Sequence, residues 1–142
     1  MIRLLRVISI ISLMTFLSPL IFATEPSLYE RLGGEAVVAK VVEQTVSRVA
    51  NNPEVNQSFD KVNLSKLDKI VVEQICSLTG GGCKYSGDDM KTVHAGLNIT
   101  EREFYAMVEA LRMALDANGV GEREKNELLR ILAPMKRDIV TH

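Results

Sequence analysis

Val37-Val38-Ala39-Lys40-Val41-Val42-Glu43-Gln44-Thr45-Val46-Ser47-Arg48-Val49 is the stretch on which the fold class turns. So many β-branched residues suggest a strand by propensity. The spacing says otherwise. Residues 38, 41, 42, 45 and 49 form one face, and Lys40, Glu43, Gln44 and Arg48 fall between them, which is a period of 3.6 rather than 2. The stretch is therefore predicted to be an amphipathic helix, ended by Asn51-Asn52-Pro53.

The rest of the chain agrees with a helical reading. Upstream, Ser27-Leu28-Tyr29-Glu30 fits a capping box that opens a short helix, and Gly33-Gly34 closes it. Downstream, a turn carrying Val55 and Phe59 leads to Asn63, a plausible N-cap. Leu64, Leu67, Ile70, Val71, Ile75 and Leu78 then line one helical face, which stops at Gly80-Gly81-Gly82. Asp88-Asp89 can cap a short helix holding Met90, Val93, His94 and Leu97. Thr100-Glu101-Arg102-Glu103 is a second capping box. It opens a long helix with Phe104, Met107, Val108, Leu111 and Leu115 inward, closed by Asn118-Gly119. A last helix from about Glu122 carries Leu128, Leu132, Met135 and Ile139, with a kink expected at Pro134. No segment alternates with period two, and there is no internal repeat or linker. The expected class is all-α, in one domain.

Residues 1–23 stand apart. Arg3 and Arg6 precede the apolar run Val7–Leu17, Ser18-Pro19 breaks it, and Ile21-Phe22-Ala23 ends on a small residue. This is the pattern of a secretory signal peptide cleaved after Ala23, with a retained membrane anchor as the alternative. No cysteine stands at the exit, which excludes lipid attachment there. The expected division is thus a signal peptide at 1–23 and a domain at 24–142, exported, most simply to a bacterial periplasm. Removing the segment deletes two arginines and no acid, moving the formal charge from −1 to −3. A mildly acidic domain is a poor binder of nucleic acid, which requires clustered Lys and Arg. With no Trp and 5% aromatics, the core must be aliphatic.

Two cysteines, Cys76 and Cys83, flank the glycine triplet. In an oxidising compartment they invite a disulfide, with free thiols as the alternative. A zinc site normally needs four ligands, and no histidine lies near this pair. So short a loop would add only about 2 kcal/mol, so the expected role is to pin a helix end to the loop after it. Of two histidines, His142 is terminal, whereas His94 lies among apolar residues. A lone histidine in such a setting is ordinarily a hydrogen-bonded core residue. There is no Gly-x-Ser-x-Gly, no phosphate-binding Gly-x-x-x-x-Gly-Lys-Ser/Thr and no Gly-x-Gly-x-x-Gly.

Several segments, in order and spacing, change the weight of His94. They are Leu28-Tyr29-Glu30-Arg31-Leu32-Gly33-Gly34, Asn52-Pro53-Glu54-Val55 with Phe59, and Gly80-Gly81 with Lys84-Tyr85-Ser86-Gly87. Asp89-Met90-Lys91-Thr92-Val93-His94, Ile99-Thr100-Glu101 with Phe104, and Leu132-Ala133-Pro134-Met135-Lys136-Arg137-Asp138-Ile139 complete the set. Across about residues 27–140 the chain resembles the truncated haemoglobins, in particular their first group. That resemblance implies a two-over-two helical sandwich around a haem b. His94 matches the proximal histidine that bonds iron, and its second ring nitrogen should donate to a nearby backbone carbonyl. Phe59 matches the phenylalanine that packs on the porphyrin. Leu64, Leu67, Tyr85, Met90, Val93, Ile99, Phe104 and Val108 match lining positions, and Lys84 and Lys91 are candidates to pair a propionate.

The chain departs from the family on the ligand side. Where relatives that hold oxygen tightly place a tyrosine, the aligned residue is Val46, after Thr45; where they place glutamine or histidine, the aligned residues are Leu67, Ile70 and Val71. Thr45 is the sole polar side chain at these aligned positions, and Gln74 lies one turn further on. The resemblance therefore implies a donor-poor pocket that binds a diatomic gas, oxygen more weakly than in tyrosine-bearing relatives, on a five-coordinate ferrous iron. The alternative is a haem enzyme that turns over nitric oxide or peroxide. No reductase domain is attached, so such turnover would need an external reductant. A helical module that has lost haem is the remaining reading.

Overall fold

The computed structural model describes residues 24–141, and among them there is no β-strand. The expected export signal at 1–23 and the terminal His142 lie outside the described residues.

Helix α1, Leu28–Arg31, is set by both halves of its capping box: the Ser27 hydroxyl accepts from the Glu30 amide, and the Glu30 carboxylate accepts from the Ser27 amide at 2.8 Å. Such a cap contributes about 1 kcal/mol. Gly33 then takes φ +102°, where a side chain would also collide with Val37. The chain passes through it straight into α2, Gly34–Ala50, so the glycine pair opens the second helix as well as closing the first.

Helix α2 buries Val38, Val41, Val42, Thr45 and Val49, the stripe read from its spacing, and Val46 beside it. Helix propensity disfavours a valine by at most about 0.7 kcal/mol. Burying one contributes about 1.5–3 kcal/mol, so packing decides the conformation. The main core joins this stripe to Leu28 and Leu32, to Ile75 of α3 (Leu64–Leu78), to Leu111, Ala114 and Leu115 of α5 (Glu101–Ala117), and to Leu128 of α6 (Glu122–Leu132). A smaller core gathers Val49, Val55 and Ala110, and Phe59 packs on both. Helix α2 lies against α3 and α5, and α5 turns onto α6, giving two helices layered on two.

Leu78, expected inward, is 39% exposed. The edge of α3 that meets the body runs through Ile75, Cys76 and Thr79, and Leu78 falls beside it rather than on it. Pro134 interrupts the helix as expected: α6 ends at Leu132, a 3₁₀ turn spans Ala133–Met135, and α7 (Lys136–Ile139) follows.

Lys125 carries no warning in the sequence, yet it is only 3% exposed. Its ammonium donates to Asp116 and to Glu122, both at 2.5 Å, tying the end of α5 to the start of α6. Those hydrogen bonds, Asp116 first, hold its pKa above the ordinary 10.5, against the opposing effect of burial. A raised folded-state pKa gives stability that is complete below the unfolded value and is lost as pH climbs through the higher folded one. The melting midpoint is therefore expected to fall as pH rises beyond about 10.5, and Lys125→Met should flatten that decline. Melting curves across alkaline pH for the two proteins check this; identical slopes would contradict it.

Candidate functional site

Helix α4, Met90–His94, has only five residues, too few to persist alone. Its start is built by Asp89, whose carboxylate accepts from the Thr92 amide at 3.0 Å and the Thr92 hydroxyl at 2.6 Å. The hydroxyl hydrogen bond, ahead of the amide one, holds the Asp89 carboxyl below its ordinary range. Helix α4 packs principally against α7, and the Thr141 amide donating to the Ile99 carbonyl at 3.0 Å secures that corner.

His94 is half-buried at the end of α4, and its Nδ1 lies 2.8 Å from the Met90 carbonyl oxygen one turn back. A carbonyl only accepts, so Nδ1 is the donor in this contact, and in the neutral ring the lone pair lies on Nε2. This is the backbone contact expected from sequence.

Several apolar side chains of α4 and α5 are absorbed by neither core. Met90, Phe104 and Val108 are half-buried and belong to neither core. Val93 and Leu97 are 43% and 44% exposed. Phe59, Leu64, Leu67 and Val71 are half-buried along the rim of the main core. Apolar groups left this poorly covered on neighbouring helices are what a bound apolar group completes. Ile99, at 7% exposure, is fully buried. Tyr85 is half-buried, and its hydroxyl donates to the Asp88 carbonyl at 2.8 Å; burial, then the charges of Asp88, Asp89 and Glu73, push its phenol up. Lys84 and Lys91 are exposed at either end of the same segment.

The positions aligned with the ligand side divide. Val46 sits 3% exposed within the main core, and Ile70 is half-buried. Thr45 is buried, and its hydroxyl donates to the Val41 carbonyl at 2.7 Å, so its proton is spent on its own helix. Gln74 does reach across: its amide lies 3.4 Å from the Met90 sulfur, joining α3 to α4. Beside Leu67, one Asp68 carboxylate oxygen is buried without a partner. Burial, reinforced by the Glu43 charge, raises that carboxyl's pKa.

No group of three or more His, Cys, Asp or Glu side chains could hold a metal among the described residues. One imidazole amid apolar side chains does not chelate a bare ion. It suits an iron whose other in-plane donors arrive with a macrocycle, so the donor set fits a haem.

Comparison with known proteins agrees with this geometry. The bacterial-like globin family model matches residues 27–141, and the chain belongs to that family. Within it the chain is similar to the group 1 truncated haemoglobin of Mycolicibacterium paratuberculosis, 34% identical over 119 residues that cover 84% of this chain and 88% of the relative. The crystal structure of the truncated haemoglobin of Tetrahymena pyriformis in its Fe(III) form superposes with a TM-score of 0.77 at 26% identity, covering 82% of this chain and all of that one. The 2/2 haemoglobin of Synechococcus, solved with covalently attached haem, superposes at 0.75 with 25% identity, again over 82% and 100%. The protein is a haem-binding globin of the truncated, two-over-two type.

Proposed function

We propose that this chain binds a haem b through His94 Nε2 and takes up a diatomic gas on the opposite face. The observation that carries the reading is the 2.8 Å contact of His94 Nδ1 with the Met90 carbonyl. That contact selects the tautomer whose Nε2 can ligate and orients the ring, as backbone partners of metal-binding histidines do. When bound, the haem supplies an iron centre with one open coordination position. Phe59, Met90, Phe104 and Val108 would cover the macrocycle and keep water from it, and Lys84 and Lys91 are placed to meet its carboxylates in solvent, where such pairs contribute little.

The ligand side rests on Leu67, Ile70 and Val71, which offer no hydrogen-bond donor, and on Thr45, whose proton is already given to Val41. Nothing there favours a ligand that gathers negative charge. We therefore read the site as one that binds carbon monoxide or nitric oxide well and oxygen weakly. We read residues 1–23 as an export signal, which would carry the chain to a compartment where the Cys76–Cys83 disulfide persists.

Titration of the haem-free chain with haemin should raise a Soret band that saturates at one equivalent. After reduction without ligand the spectrum should be five-coordinate and high-spin. A six-coordinate, low-spin ferrous spectrum would show that a side chain occupies the open position; absence of any Soret band would sink the reading.

A further inference from the structure

The linker between α3 and α4, residues 79–89, contains no helix, yet it is stitched to α3 at successive points. Cys83 forms a disulfide with Cys76, with Cα atoms 5.6 Å apart. Three residues on, Ser86 donates to the Glu73 carboxylate through its amide at 3.0 Å and its hydroxyl at 2.5 Å. At the start of α4 the Gln74 amide meets the Met90 sulfur at 3.4 Å. Glycine is required under the first stitch: a Cβ on Gly81 would stand 2.5 Å from the Cys76 sulfur and 2.6 Å from the Tyr29 ring. The Gly81 amide also donates to the Cys76 carbonyl at 2.8 Å.

We propose that this strap is a redox-sensitive positioning device: the Cys76–Cys83 bond holds α4 at a set distance from α3, and opening it loosens the hold on haem. The proposal rests on His94 being the iron ligand. Untethered, eleven linker residues could reach roughly 36 Å, so the linker by itself would not place α4. Closed at Cys83, residues 84–89 separate α4 from its anchor, a reach of about 20 Å, and the Ser86–Glu73 pair shortens it further to about 10 Å. Helix α4 is too short to hold its own position, and its other supports are α7 and the Gln74–Met90 contact. Of the two linker stitches, the Ser86–Glu73 pair is exposed and competes with water, so the covalent one is the durable part.

The chemistry is thiol–disulfide exchange with a dithiol reductant. Cys83 is exposed and Cys76 is 0% exposed. An incoming thiolate attacks the Cys83 sulfur, and Cys76 leaves as a thiolate and takes a proton. The reductant's second thiolate then attacks the mixed disulfide. Cys83 is released and protonated, and the reductant departs as its own disulfide, having lost two electrons.

The test uses the full chain loaded with haemin, in oxidised form, as Cys76→Ala/Cys83→Ala, and as Glu73→Gln. Haem loss to an excess of a scavenging apoglobin is followed at the Soret band, and amide exchange is followed in the haem-free chains. Opening the disulfide should speed haem loss about tenfold, the low end of what outer partners of a metal ligand contribute, and Glu73→Gln should speed it less, about threefold. Exchange should quicken over residues 84–94 and stay unchanged in α2 and α5. Equal haem loss and equal exchange in open and closed chains overturn the proposal. So does protection lost equally in α2 and α5, because the disulfide would then staple the whole fold. If the oxidised chain and its His94→Ala variant hold haem alike, the His94 assignment fails; the exchange result still judges whether the strap positions α4.

Discussion

Replacing His94 with glycine should weaken haemin binding at least about 100-fold, and millimolar imidazole should restore most of the loss. Loss of an outer partner of a metal ligand alone typically costs 10–100-fold in affinity, and removing the ligand itself costs more. The apolar surround of Met90, Phe104 and Val108 still offers burial, so residual binding is expected without the iron–imidazole bond. Rescue by free imidazole separates a lost ligand from a damaged fold, since glycine leaves a cavity for the missing ring. His94 is the last residue of α4, so the glycine falls at the helix end, and the side-chain hydrogen bond lost is the one to Met90. Competition against a scavenging apoglobin, with and without imidazole, measures the effect. Unchanged affinity in the variant would remove His94 from the site.

The second large effect is expected on the other face. Leu67→Gln should slow oxygen dissociation roughly 10- to 150-fold while leaving carbon monoxide nearly unchanged. A dioxygen ligand gathers partial negative charge, and a hydrogen bond to a charged acceptor contributes about 1.5–3 kcal/mol. At 1.4 kcal/mol per decade, that gives the stated range. Leu67 is the better position for the change. It is half-buried on the rim of the main core, where glutamine replaces leucine at similar volume. Val46, the position aligned with the family tyrosine, is 3% exposed inside that core, and a tyrosine there would overpack it at a cost of about 1–3 kcal/mol. Stopped-flow displacement of oxygen by carbon monoxide reads the rate. A variant that releases oxygen as fast as the parent would mean that position 67 does not face the ligand.

Both results depend on how the helices come together, and the sequence disclosed this unevenly. Along α2, amphipathic spacing prevailed over valine's strand propensity because burial outweighs the intrinsic preference several-fold. The capping residues Ser27, Asn63, Asp89 and Thr100 were legible because each acts on amides two or three positions away. Leu78 misled because a run of apolar residues does not say which edge of a helix its neighbour will cover. Lys125 gave no sign at all, since its partners and its cover come from the start of α6 and from the end of α5. The resemblance to truncated haemoglobins pointed to His94, but it said nothing of Gln74 and Glu73 gripping the strap.

The order of residues by itself determined that the chain is helical and where most helices begin and end, and it set Cys76 and Cys83 close enough along the chain to pair. These follow from local spacing and from groups close along the backbone. Tertiary structure alone decided that Thr45 gives its proton to Val41, that Val46 lies inside the main core while Leu67 lies at its rim, and that Glu73 and Gln74 of α3 meet Ser86 and Met90. These are relations of packing and direction between side chains, and one-dimensional order does not encode them in any readable period.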